Sequence, residues 1–322
     1  MEKTILSRAN IKFNKRRRER EDLIEQRKQE IYDKIPEIRA IEQELTGCSF
    51  EALSSVAGGA NPEDAVNAFK EKMDRLSKER ERLLYKNGFT AEYLNPPYTC
   101  KKCSDRGIVD GKLCACYNAL VSEELYKESN LGTMLKNQTF DKFDFNMYSD
   151  EKIDGTELTA KDNMKEIYDE CRSFVNGFDT NHANLIMYGP PGLGKTFLSS
   201  CIANSLIEKG VDVFYQSAGQ IFTALDGVRF GRGTEADNYL ADRIIAAELL
   251  IIDDLGTEFI NAMSVSELFR IINTRLLAQK STIISTNLMM NDIKKNYSER
   301  VLSRIAGYYS QLRFYGNDIR FE

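Results

Sequence analysis

The chain has 322 residues, room for two domains with at least one full core, and its 42% hydrophobic and 29% charged content is ordinary for a globular protein. A net charge of −5 argues against wholesale coating of nucleic acid but allows a local basic patch. No run of about eighteen apolar residues is present to span a bilayer, and the N-terminus MEKTILSRANIKFNKRRRER lacks the apolar stretch and cleavage site of a secretory signal, so a cytoplasmic location with reduced thiols is expected.

The first ninety residues read as helical. Ile24, Ile31, Ile35, Ile38 and Leu45 share one face, with charged residues between them and a kink expected at Pro36. The stretch TGCSFEALSSVAGGANPED reads as a loop that ends in a helix start at Asn61-Pro62-Glu63-Asp64. The second helix carries Val66, Phe69, Met73, Leu76 and Leu83 on one stripe and stops near Asn87-Gly88. Two such helices form either a self-packed hairpin or a surface that docks a partner protein. The basic run Lys12, Lys15, Arg16, Arg17, Arg18 and Arg20, interleaved with glutamates from Glu19, reads as a solvated helix face.

Four of the seven cysteines then fall in YTCKKCSDRGIVDGKLCACY. Cys100-x₂-Cys103 and Cys114-x-Cys116, joined by a turn containing Gly107 and Gly111, supply two thiolate pairs on a short hairpin. That spacing suits tetrahedral Zn²⁺ in a reducing compartment, and four sulfurs leave no open position for chemistry. A redox switch is the alternative. Cys48, Cys171 and Cys201 sit in apolar contexts and read as packing residues. The domains expected are 1–120, helical with the cysteine hairpin at about 98–117; a linker or strap over 121–150, with Phe140, Phe143 and Phe145 packing onto the C-terminal domain; and that domain itself, 151–322.

In that last part helices alternate with short apolar strands, expected at 184–188, 211–215, 248–252, 282–286 and 311–315. The alternation predicts an α/β fold, a mainly parallel sheet covered on both faces. The one histidine, His182, lies in the polar FDTNHANL and reads as a solvated loop residue. Directly after the first strand comes GPPGLGKT, comprising Gly189, Pro190, Pro191, Gly192, Leu193, Gly194, Lys195 and Thr196, and it opens a helix. This is the context a phosphate-binding loop requires. Its backbone N–H groups cradle phosphates, Lys195 reaches the β- and γ-phosphates of ATP, and the Thr196 hydroxyl is a Mg²⁺ ligand.

The strand ending LLIIDDLGTE presents Asp253, suited to the metal shell, and Asp254, suited to polarising the attacking water, with Glu258 as the next candidate. The strand STIISTN delivers Asn287, whose amide orients that water. In YSERVLSRI, Arg300 and Arg304 project from one helix face. These arginines read either as a source of one supplied to a neighbouring copy's γ-phosphate or as surface salt-bridge partners of Glu299 or Asp292.

The combination resembles the DnaC/DnaI-type bacterial helicase loaders, AAA+ ATPases of the initiator clade. The resemblance rests on GPPGLGKT, IIDDLGTE, ISTN, ERVLSRI and FYGNDIR, together with RLLYKNGFTAEYLNPPYTCKKCSDRG. It implies that Asn287 is sensor 1, that Arg304 is the arginine finger of a homo-oligomer, and that Asp318 to Arg320 supplies a sensor-2-like arginine, Arg320. It also implies an N-terminal domain that grips the replicative DnaB-type hexameric helicase and an ATPase domain that binds single-stranded DNA. The DNA contact would fall in YQSAGQIFTALDGVRFGRG, around Phe222, Arg229, Phe230 and Arg232. An IstB-type transposase helper shares the ATPase core, and a nucleotide-switched DNA-binding scaffold with negligible turnover is a third reading.

Overall fold

A computed structural model describes residues 5–57, 61–126, 137–152 and 157–320, with backbone only at 49–56 and 125–126. Parts of two segments read from the sequence, 58–60 of the expected loop and 127–136 of the strap, lie outside the described residues. The chain forms two compact units, Ile11–Asp105 and Met1–Asn10 with Arg106–Glu322.

The smaller unit is helical. α1 (Ile5–Lys34) stops at Ile35, and Pro36 opens α2 (Pro36–Ala57), because proline has no N–H to continue the ladder but fits the first turn of a new helix. Thr46–Ala57, expected as loop, continues α2. Thr46 Oγ1 donates to the Glu42 carbonyl at 2.8 Å, and Glu51, Ala52 and Leu53 are good helix formers. α3 (Pro62–Lys86) begins as its sequence predicts: the Asn61 side chain accepts from the Glu63 N–H at 2.9 Å. It ends at Asn87, with Gly88 at φ +81°. Ile31, Ile35, Ile38 and Leu84 form the core of this unit, with Phe89 and Tyr93 packed against it. Arg16, Arg17 and Arg18 are exposed.

In the larger unit, strands β1 (Ile108–Val109) and β2 (Lys112–Leu113) pair antiparallel through Asp110 and Gly111, both at positive φ, and lead into α4 (Ala115–Tyr126). Helix α5 (Ala160–Gly177) then leads to β3 (Leu185–Tyr188), α6 (Lys195–Glu208), β4 (Val213–Ser217), α7 (Ala218–Arg229) and α8 (Glu235–Ala246). The chain continues through β5 (Leu249–Leu255), α9 (Ala262–Leu277), β6 (Ser281–Thr286), α10 (Met290–Tyr297), α11 (Glu299–Tyr308) and β7 (Ser310–Arg313).

All five expected strands form one parallel sheet in the order β4-β5-β6-β3-β7. Side chains alternate between its faces. Leu185, Met187, Tyr215, Leu249 and Ile251 pack with α5 and α6, while Ile186, Phe214, Leu250 and Ile252 pack with α7 to α11. Phe140, Phe143 and Phe145 lie on the first of these cores, the rings of Phe143 and Phe145 5.3 and 5.1 Å from that of Tyr168. His182 is exposed, and Cys48, Cys171 and Cys201 are buried. No helix among the described residues is long and apolar enough to cross a membrane.

Candidate functional site

The GPPGLGKT loop turns the chain from β3 into α6, and its glycines are demanded by more than the turn. Gly189, Gly192 and Gly194 hold φ of +140°, +72° and +88°, a region that side chains disfavour. A Cβ at Gly189 would lie 2.4 Å from the Phe314 carbonyl oxygen, and one at Gly192 would lie 1.9 Å from the Asp318 carboxylate. The C-terminal segment therefore lies against the loop, and the Ile319 N–H donates to the Gly192 carbonyl at 3.1 Å. From the other side, Tyr148 donates to the carbonyl of buried Leu193 at 3.2 Å. Pro190 and Pro191 are exposed at the loop's tip.

Lys195 is buried and donates to the Gly189 and Pro190 carbonyls at 2.8 and 2.6 Å. Burial lowers its pKa to about 8, with Asp254 and Asp253 pulling the other way. The next residue, Thr196, donates through its hydroxyl to Asp253 Oδ1 at 3.2 Å.

Both acids sit at a bulge. Ile252 pairs with Ile284 and Leu255 with Thr286, so Asp253 and Asp254 together oppose the single residue Ser285. Asp254 takes φ +54°, the left-handed region that an Asp tolerates. The Ser285 hydroxyl accepts the Asp254 N–H at 3.0 Å and donates to Asp253 Oδ1. Asp253 Oδ2 accepts from the Tyr215 hydroxyl at 2.6 Å. Burial, reinforced by Asp253, raises the Asp254 pKa against the opposing pull of Lys195. Burial also keeps the Tyr215 phenol protonated, its pKa raised well above the ordinary value.

Asn287 is exposed directly after β6, the strand lying between the acids' β5 and the loop's β3. Arg304 on α11 is half-buried: its Nε donates to Asn273 Oδ1 at 2.9 Å and its guanidinium lies 4.6 Å from the Phe269 ring centre. Arg320 Nε donates to Asp318 Oδ1 at 2.8 Å, which ties this arginine to the carboxylate that approaches Gly192. Glu258 is engaged elsewhere, accepting from the Tyr297 hydroxyl and, at 2.8 Å, from the Gly256 N–H. Phe222 belongs to the core beneath α7 and offers no face to a base, whereas Arg229 and Phe230 are exposed and Arg232 lies 5.5 Å from the Phe230 ring centre.

The ligand atoms of Cys100, Cys103, Cys114 and Cys116 all lie within 4.8 Å of one another. A tetrahedron with Zn–S bonds of about 2.3 Å has S–S edges of about 3.8 Å, so the donor set fits that ion. Local hydrogen bonds shape the segment. The Asp105 carboxylate accepts the Thr99 and Cys100 N–H groups at 3.0 and 2.8 Å, and the Cys114 N–H donates to the Gly107 carbonyl at 2.8 Å. Cys116 lies in the first turn of α4, where the helix dipole favours a thiolate.

A family model described as IstB-like ATP binding protein matches residues 123–306, more than half of the chain. The chain belongs to this IstB-like ATP-binding family. The matched residues contain the phosphate loop, both acids, Asn287 and Arg304, while the helical unit and the four cysteines precede them. Relatives of the IstB-like module include the protein named Replicative helicase loader DnaC of Escherichia coli K12, 29% identical over 136 residues, 42% of this chain and 55% of that protein. Its namesake from Buchnera aphidicola subsp. Schizaphis graminum is 25% identical over 144 residues, 45% of this chain and 58% of that protein. The chain thus spans about half the length of the curated relatives it matches. The crystal structure of the DnaC helicase loader aligns with a TM-score of 0.46 at 22% identity, covering 56% of this chain and 98% of that one. That of DnaI aligns with a TM-score of 0.43 at 19% identity, covering 54% and 95%.

The loop, the paired acids and the cysteine cluster of the IstB-like chain were all legible as motifs. Tyr215, Tyr148 and Asn273 carry no motif and Ser285 lies unremarked within ISTN, so their place at the site comes only from strand register and helix packing.

Proposed function

We propose that the chain is a Mg²⁺-dependent ATPase that loads a ring-shaped replicative helicase onto single-stranded DNA. The observation that carries the hydrolytic part is the contact of Thr196 with Asp253 at 3.2 Å, with Asp254 turned out of the strand beside it. Two hard oxygens at that separation fit Mg²⁺, and Thr196 and Asp253 would hold it. The ion, when bound, supplies positive charge to the β- and γ-phosphates. The loop's N–H groups and Lys195 bind the phosphates; Lys195 would exchange its contacts with the loop carbonyls for phosphate oxygens. Asp254 takes a proton from the attacking water, and Asn287 orients it. Arg304 of a neighbouring copy stabilises the charge that develops on the γ-phosphate, and Arg320 responds to that phosphate in its own chain.

The loading role is supported by the names of the DnaC relatives and by the helical segment and cysteine cluster that precede the ATP-binding module. We assign helicase docking to residues 1–120 and ATP-driven switching to 151–322. Zn²⁺ on Cys100, Cys103, Cys114 and Cys116 would act structurally, holding together a segment with little core. Arg229, Phe230 and Arg232 are the residues available to attract and stack on a DNA strand. The family match itself favours one second reading, a transposase helper.

The test is capture by the full chain of the host's hexameric helicase, and then ATP-dependent transfer of that helicase to circular single-stranded DNA. Capture of a transposase with no helicase bound would move the chain to the second reading.

A further inference from the structure

The hydroxyl of buried Tyr215 serves neither the phosphate loop nor the sheet's backbone. We propose that Tyr215 is a positioning residue for Asp253, holding the carboxylate in the orientation that receives the nucleotide's Mg²⁺; this rests on the ATPase reading. The register makes the contact. Ser217 of β4 pairs with Asp253 of β5, so Tyr215, two residues back on the same face, is its diagonal neighbour and within reach of a long side chain. Tyr215 is 1% exposed, and its ring is packed in the core between the sheet and α6.

The two carboxylate oxygens of Asp253 have different partners. Oδ1 receives Thr196 and Ser285, and Thr196 is the residue suited to ligate the metal, so Oδ1 lies on the metal side. Oδ2 receives Tyr215 at 2.6 Å. The phenol's single proton goes to the carboxylate, and its oxygen lies 3.0 Å from the Ser199 hydroxyl, whose own proton is shared with the Thr196 carbonyl at 3.0 Å. Ser199 sits one turn into α6, the helix that the phosphate loop opens. The Tyr215 hydroxyl therefore pins the far oxygen of Asp253, and its contact with Ser199 sets it against the helix carrying the loop. Groups that orient a ligating carboxylate in this way typically change metal affinity by about 10–100-fold when removed.

The experiment measures a fluorescent ATP analogue binding to the full chain while Mg²⁺ is titrated, with a parallel series in EDTA. Tyr215→Phe keeps the ring and removes only the hydroxyl. The Mg²⁺ concentration for half-maximal enhancement should rise about tenfold, with binding in EDTA unchanged. Ser199→Ala should shift the Mg²⁺ requirement in the same direction by a smaller factor, and it stands in if Tyr215→Phe does not fold. An unchanged Mg²⁺ requirement in a folded variant, or an equal loss with and without Mg²⁺, would overturn the assignment. Wild-type chain that binds no nucleotide would overturn the ATPase reading first, and this one with it.

Discussion

Arg304 donates to Asn273 across the α9–α11 packing at 2.9 Å and lies 4.6 Å from the ring centre of Phe269. The acids that sequence spacing offered as its partners are otherwise engaged: Glu299 pairs with Lys294 at 3.1 Å and Asp292 with Lys295 at 3.9 Å. A neutral amide and an aromatic face hold a guanidinium more loosely than a carboxylate does, so the arginine is parked rather than neutralised.

The first expectation comes from that parking. If Arg304 acts as proposed, Arg304→Ala should leave ATP binding nearly intact and reduce turnover by up to about 10³-fold, the effect of removing an arginine finger. Mixing decides whether the residue acts across copies. Lys195→Ala chains should lose ATP binding but keep Arg304, so they should restore activity to Arg304→Ala chains in mixed assemblies formed with DNA and helicase. No rescue in demonstrably mixed assemblies would leave Arg304 as a residue of α11 that packs against α9.

Asp254 carries the second. Its carboxyl sits above the usual range because of burial and then Asp253, and a general base works only when ionised. Turnover should therefore fall as pH drops through that raised pKa, with an acid limb higher than an ordinary exposed carboxylate would give. Asp254→Asn should bind ATP but hydrolyse it slowly at every pH. Glu258→Gln should turn over near the wild-type rate and lose about 1 kcal/mol of stability, because its carboxylate serves Tyr297 and Gly256. Steady-state rates and thermal melts of the two variants separate these roles.

Lys195 gives a proton-linked signature. Its pKa near 8 in the nucleotide-free chain comes chiefly from burial, and incoming phosphates favour the charged form. Above pH 8 the free lysine is mostly neutral, so binding must take up close to one proton and affinity should fall about tenfold per pH unit. Calorimetry in buffers of different ionisation enthalpy measures that uptake directly. Binding that is independent of pH between 7 and 9.5 would contradict it.

Zinc is tested by stoichiometry. Protein purified under reducing conditions should contain one Zn²⁺ per chain, and Cys103→Ser should lose it, since four thiolates complete the tetrahedron. Metal-free protein with four readily titrated thiols would return the cluster to the redox alternative.

Gly189→Ala should be among the most damaging single changes to the loop. Its Cβ would meet a backbone oxygen of Phe314 that cannot rotate away, and its φ is +140°. A loss of about 3 kcal/mol is expected by denaturant titration, apart from any effect on nucleotide.

Much of this protein could be read from short stretches of chain because the chemistry concerned is local. A phosphate loop needs its glycines, Lys195 and Thr196 consecutive at a strand–helix turn, and a thiolate cluster on a hairpin needs its cysteines a few residues apart. Strand–helix alternation likewise announces a parallel sheet. Two segments took a different place from the one expected of them. Thr46–Ala57, read as loop, extends α2, and Phe222, placed at a DNA contact by resemblance, packs with Ile221 and Leu225 in the core beneath α7. The pairing of Ser285 and Tyr215 with Asp253 depends on strand order, register and a one-residue bulge. A slip of one residue would turn Tyr215 to the opposite face of the sheet. The seat of Arg304 on Asn273 and the approach of Asp318 to Gly192 depend on how distant helices and the C-terminal segment pack. Periodicity tells a side chain which face of its own element it occupies; only the assembled sheet determines what it meets there.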